Sequence, residues 1–151
     1  MGLEPITDEN VAAVCDLEVA PDQKRFVADN VWSLAEAYAN YAHAWPRAIV
    51  RDREVVGFLM LEIDLDDEDG RPYWLWRLMV GRAHQRQGIA SAALALAFEK
   101  IRSRGGTSIH TSWVPGDGSP ERFYLGLGFE PNGEMDDGEV VARLSLAGTS
   151  T

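Results

Sequence analysis

The segment His84-Gln85-Arg86-Gln87-Gly88-Ile89-Ala90-Ser91-Ala92-Ala93-Leu94 sets an arginine, two glutamines and a glycine directly ahead of an apolar run. That order of residue types suits an anion. The first amides of a helix have no carbonyl partners within it, and the helix dipole is positive at that end. Gly88 lets a diphosphate approach the backbone with no Cβ in the way. Arg82 and Arg86 can add charge-assisted contacts to the same group. A lone glycine at a helix start also has a purely structural use, so its surroundings must decide between the two. His43, His84 and His110 show no ligand spacing and Cys15 is the lone cysteine, so no metal is expected.

The elements that would position this turn follow from periodicity. Leu3 to Ile6 reads as a first strand. Asp8-Glu9-Asn10 starts a helix through Val11, Val14, Leu17 and Glu18. Pro21-Asp22 starts a second, with Phe26, Val27, Val31, Leu34, Ala35 and Tyr38 at helical spacing. Ala48 to Arg51 and Val55 to Ile63 flank a polar turn, as a hairpin does. Asp64 to Asp69 carries five acids in six residues, which suits a solvated hairpin tip and equally the capture of a polycation. Tyr73 to Val80 is nearly continuously apolar, as in a central strand covered on both faces. The turn at Gly88 then leads into a helix whose stripe is Ile89, Ala93, Leu96, Ala97 and Ile101, stopped by Gly105-Gly106. Ser108 to Val114 predicts a strand, Pro120 to Leu127 a short helix, and the chain from Phe129 two strands around Gly138. The result is a mixed α/β domain, expected to be single over 1–151, with no repeat or linker dividing it.

Composition narrows the function classes. A net charge of −10 disfavours nucleic acid and anionic membranes and suits a cationic partner, although solubility alone accounts for the acidity of many proteins. No apolar run reaches bilayer-spanning length, and no basic, hydrophobic signal region opens the chain. With one cysteine, a reducing cytoplasm is the expected setting.

Gln85-Arg86-Gln87-Gly88-Ile89-Ala90 resembles the Q/R-x-x-G-x-G/A signature of the GNAT superfamily of N-acetyltransferases, with alanine at the last position. Phe123-Tyr124-Leu125-Gly126-Leu127-Gly128-Phe129 resembles a second signature, FY-x-x-L-G-F, and the order of elements agrees over nearly the whole chain. The resemblance implies a central, twisted, mostly antiparallel sheet of about seven strands flanked by about four helices. It implies that acetyl coenzyme A lies with its pyrophosphate on residues 85–91, Ser91 included. Its pantetheine arm would lie along Leu78, Met79 and Val80, with Phe123 beside it. Tyr124 would be the acid that protonates the departing thiolate, and a strand amide, assigned to Met79, would polarise the thioester carbonyl. The family's strand glutamate falls on Trp74, which cannot take a proton. That role passes to Glu36, Glu62, a water relay or nothing. The family's asparagine is replaced by Gly116-Asp117-Gly118-Ser119-Pro120, leaving Asp117 or Ser119 to touch the coenzyme.

Asp22 to Tyr38, Tyr73 to Met79 and Gly118 to Tyr124 are similar to stretches of spermine/spermidine acetyltransferase-like members. That similarity implies a polyamine or another small cationic amine as acceptor. Trp32, Tyr38, Tyr41, Trp74 and Trp76 offer aromatic faces and Glu36 and Glu62 charge partners, though such aromatics equally fill a core. The alternatives are an acceptor that is a protein N-terminus, a lysine or an aminoglycoside-like amine, and a coenzyme-binding regulatory module without turnover. Strand exchange or sheet pairing within the superfamily makes a homodimer compatible with this reading.

Overall fold

The computed structural model describes residues 1–24 and 29–146. Phe26 and Val27, expected in the second helix, lie outside the described residues. The strands are β1 (Gly2–Pro5), β2 (Ala44–Arg51), β3 (Glu54–Ile63), β4 (Tyr73–Val80), β5 (Ser108–Trp113), β6 (Glu130–Asp136) and β7 (Glu139–Ser145). The helices are α1 (Val11–Asp16), α2 (Asn30–Ala39), α3 (Ile89–Ser103) and α4 (Glu121–Leu127). Short 3-10 turns occupy Pro21–Gln23 and Arg82–His84. One sheet runs in the order β1-β2-β3-β4-β5-β7-β6. Every pairing is antiparallel except β4 with β5, where α3 makes the crossover. The expected fold class holds.

Two apolar layers sandwich the sheet. On one face Ile89, Ala93, Leu94, Ala97 and Ile101 of α3 join Tyr124 and Phe129 against Leu59, Leu61, Leu75, Ile109 and Trp113. On the other, Val14 of α1 and Ala37 of α2 pack with Ala48, Phe58, Met60 and Met79. β4 contributes to both layers, which explains its unbroken apolar run.

Two helix faces differ from the expected ones. In α3 the buried stripe takes Leu94, while Leu96 is partly exposed. In α2 the buried residues are Asn30, Ser33 and Ala37, and Val31 and Tyr38 point outward. The reason is polar. Asn30 Nδ2 donates to the Val14 carbonyl at 2.8 Å and contacts Met79 Sδ at 3.5 Å. A satisfied asparagine can sit in an apolar layer, and hydrophobic spacing alone does not reveal it. The helix begins at Asp29, whose carboxylate accepts from the Trp32 amide at 2.9 Å.

Candidate active site

The parallel pairing of β4 with β5 is confined to Trp74 opposite His110 and Leu75 opposite Thr111. Beyond that rung the strands part, β4 running on to Val80 and β5 to Trp113. The gap is a cleft of about 1040 Å³ walled by residues 75–80 of β4, residues 111–114 and the starts of α3 and α4. Strand edges inside it have lost their neighbour, so their amides and carbonyls are available to a ligand.

Which amides face the cleft follows from the β3–β4 register. The Gly81 amide donates to the Val56 carbonyl at 2.8 Å. In an antiparallel ladder, alternate residues then bond the same neighbour. Met79, opposite Phe58, and Arg77, opposite Met60, accordingly turn their backbone groups toward β3. A Cβ on Gly57 of β3 would lie 2.6 Å from the Met79 carbonyl oxygen, in keeping with that direction. Leu78 and Val80 turn the other way, into the gap. The carbonyl-polarising amide expected at Met79 is therefore better placed at its neighbours, while the Met79 side chain is buried under α2.

A bulge lies just before these residues. Met60 pairs with Arg77 but Leu61 pairs with Leu75, so Trp76 is the extra residue. Trp76 packs toward the α1/α2 layer, and Arg77 reaches Glu36 of α2 at 2.6 Å. Both line the cleft.

At the far end of β4 lies the turn expected to hold an anion. Arg86 and Gly88 are both left-handed, with φ of 63° and 74°. The Ala92 amide donates to the Gly88 carbonyl at 3.1 Å, and no side chain caps the start of α3. Arg86, Gly88, Ile89, Ala90 and Ser91 line the cleft. Space around a Gly88 Cβ is open, so glycine serves the backbone angle and the approach of a ligand rather than internal packing. Gln85 Nε2 donates to the Val80 carbonyl at 3.2 Å and to Gln23 Oε1 at 2.7 Å, which makes it a brace for the turn. Gln87 and Arg82 do not line the cleft.

Tyr124 is brought to the same cleft from α4, which Gly128 ends in a left-handed cap at φ 103°. The Tyr124 ring stacks on Trp113 at 5.5 Å and meets Phe123 and Phe129 edge-on. Burial pushes its phenol well above the ordinary range, so it stays protonated at neutral pH. Ser119 and Phe123 line the cleft, and the Ser119 hydroxyl accepts from the Glu121 amide at 3.1 Å. Asp117 does not line it.

Of Trp32, Glu36, Glu62, Trp74 and Trp76, named as acceptor contacts, Trp76 alone lines the cleft. Trp32 is 62% exposed on α2, and Glu36 is engaged by Arg77. Trp74 packs against His110 with ring centroids 5.3 Å apart and the planes tilted by 32°, and Glu62 lies across the ladder from it. Burial raises the Glu62 carboxyl above its usual range. Sequence reasoning missed Arg77, Ser112 and Glu139, all of which line the cleft. Ser112 Oγ donates to Glu139 Oε1 at 3.1 Å. The one signal for Glu139 was its place directly after the Asp137-Gly138 turn.

Among the described residues no group of three or more potential metal ligands converges, and no helix is long and apolar enough to cross a membrane. The donor set fits an elongated acyl carrier. It offers uncapped helix amides for phosphates, a free strand edge for an amide-bearing arm and a protonated phenol for a thiolate.

Comparison with known proteins agrees. The model of the acetyltransferase (GNAT) family matches residues 11–129. The spermine/spermidine N(1)-acetyltransferase of Bacillus subtilis strain 168 is 27% identical over 147 residues, covering 93% of this chain and 95% of its own. PaiA N-acetyltransferase from Thermoplasma acidophilum, solved with coenzyme A, superposes with a TM-score of 0.70 at 14% identity, covering 96% of this chain and 99% of its own. The ribosomal-protein-S18-alanine N-acetyltransferase of Escherichia coli gives 0.70 at 16% identity over 99% and 97% of the two chains. The chain belongs to the GNAT family of acetyltransferases and is an acetyl-coenzyme-A-dependent N-acetyltransferase.

Proposed function

We propose that the protein acetylates a primary amine of a small cationic acceptor, a polyamine such as spermidine or spermine, in the cytoplasm. The observation that carries the transfer reading is that the uncapped turn at Gly88 and the buried Tyr124 phenol line one cleft on either side of the splayed strands. The amides of residues 88–91, with Arg86, hold the diphosphate. The Leu78 and Val80 edges of β4 hold the pantetheine arm and polarise the thioester oxygen. Tyr124, which burial keeps protonated, gives its proton to the thiolate as the carbon–sulfur bond breaks.

Two features support a cationic acceptor. The Arg77 guanidinium, the one cation on the β4 wall, is paired with Glu36, so that wall presents no uncompensated positive charge. The net charge of −10 draws polycations toward the protein. The Bacillus relative, a spermine/spermidine N(1)-acetyltransferase, points the same way. Thiol release from acetyl coenzyme A, screened against spermidine, spermine, amino acids, ribosomal peptides and aminoglycosides, tests the reading. Highest kcat/KM for the polyamines supports it, and highest kcat/KM for a peptide or aminoglycoside replaces it.

A further inference from the structure

We propose that Glu139, hydrogen-bonded by Ser112, is the group that takes the proton from the attacking amine. The assignment rests on the acetyl-transfer reading above.

Asp22 and Glu139 are the carboxylates that line the cleft. They stand at opposite ends of it. Asp22 lies in the 3-10 turn beside Gln23, which holds Gln85 of the anion turn, so it belongs to the phosphate end. Glu139 is held by Ser112, whose neighbour Trp113 stacks on Tyr124, so it belongs to the end where the thioester is cleaved. The carboxylates suggested by sequence are removed from this role. Glu36 is engaged by Arg77, and Glu62 lies off the cleft.

The faces of the sheet add a second argument. Trp113 packs with Tyr124 in the α3/α4 layer. Side chains alternate along a strand, so Ser112 points to the opposite face, the one from which Trp76 and Arg77 emerge. Acid and base thus reach the cleft from opposite sides of the sheet. The thiolate can leave on one side while the amine attacks from the other. The Ser112 hydroxyl occupies Oε1 of Glu139 and leaves Oε2 for the ammonium. Asp136 lies across the β6–β7 ladder from Glu139, and the cleft is also lined by Lys24, Arg77, His84, Arg86 and Arg122.

The step balances as follows. The ammonium of the acceptor gives one proton to the Glu139 carboxylate, and the freed nitrogen lone pair forms the carbon–nitrogen bond at the thioester carbon. The carbon–sulfur bond breaks, and the thiolate takes the Tyr124 proton. The phenolate recovers a proton from the nitrogen as the amide forms, and Glu139 releases its proton to solvent.

The test uses the full chain with spermidine as probe and Glu139→Gln, whose amide oxygen still accepts from Ser112. At about pH 7.5 kcat/KM falls roughly 100-fold while coenzyme A affinity stays within about twofold. The deficit shrinks toward about pH 9.5, because the amine then loses its proton in solution. Ser112→Ala lowers the rate by a smaller factor with the same pH pattern. A Glu139→Gln enzyme that matches wild type, or one whose deficit does not change with pH, overturns the assignment and leaves the acetyltransferase reading standing. Loss of coenzyme A affinity in parallel with the rate makes Glu139 structural and also overturns it. A wild-type enzyme that acetylates no amine overturns both.

Discussion

The Thr111 hydroxyl donates to the Leu75 carbonyl at 3.1 Å, on the last rung at which β4 and β5 are paired. One strand beyond that bond turns its edge to β7, the other to β3, and the space between them becomes the cleft. A side chain thus closes the ladder at the point where the backbone stops doing so. Replacing it with the isosteric Thr111→Val leaves a buried carbonyl with one partner fewer. The cost is about 1–2 kcal/mol, read in thermal unfolding as a fall in Tm of about 2–8 °C. A Tm equal to wild type would show that this bond does not help to hold the two strands together.

Gly88 separates two effects that are usually confounded. Its φ of 74° disfavours any side chain, yet a Cβ there meets nothing within the protein. Gly88→Ala therefore destabilises the free protein by about 1 kcal/mol through backbone strain alone. Gly88→Glu adds a carboxylate at the proposed diphosphate seat and is expected to weaken coenzyme A by at least about tenfold. Calorimetry on both variants checks this, and equal affinities for Gly88→Glu and Gly88→Ala would move the phosphates elsewhere.

Tyr124→Phe keeps the stack on Trp113 and removes the proposed acid. Turnover drops by about 100-fold or more, with coenzyme A affinity unchanged in calorimetry. An unaltered kcat would remove the phenol from the mechanism.

The same residue predicts an alkaline signature. Its folded-state pKa lies above the unfolded value of about 10, because burial opposes the phenolate. Above about pH 10 the unfolded chain releases a proton that the folded chain retains. Stability is then full below that pH and declines as pH rises through it. Urea midpoints at about pH 8 and pH 11 should fall more in wild type than in Tyr124→Phe. A fall of equal size in both would assign the alkaline loss to other groups.

Much of this site was legible before the fold. The turn at Gly88 and the segment around Tyr124 announced themselves because backbone angle and helix capping demand particular residues at particular steps. The nearly unbroken apolar runs of Val55 to Ile63 and Tyr73 to Val80 gave β3 and β4, because both strands are covered on both faces. The acceptor wall was not legible. The bulge at Trp76 breaks the period of two that sequence reasoning assumes, and Arg77 beside it pairs with Glu36, one of the two carboxylates named from sequence. The inward face of α2 escaped because it is built from Asn30 and Ser33, whose burial depends on Val14 and Met79, distant in sequence. Glu139 escaped because its place depends on the pairing of β7 with β5, and no local pattern tells which strands become neighbours.

The Glu36–Arg77 pair carries a prediction about the acceptor. Glu36→Gln frees a guanidinium on the cleft wall, at a cost of about 1–2 kcal/mol in stability. A positive charge is then presented to the incoming polyamine. The KM for spermidine rises severalfold while that for acetyl coenzyme A stays put. Raising the ionic strength narrows the difference between variant and wild type. Equal KM values at low salt would contradict a cationic acceptor at this wall.

The central claim is that one cleft grips the diphosphate at Gly88 and delivers the thioester to Tyr124. A crystal structure with coenzyme A bound tests it most directly. The diphosphate is predicted on the amides of residues 88–91, with the sulfur within about 3.5 Å of the Tyr124 hydroxyl. Density for the coenzyme that leaves this turn bare, or a sulfur held far from the phenol, would contradict the account.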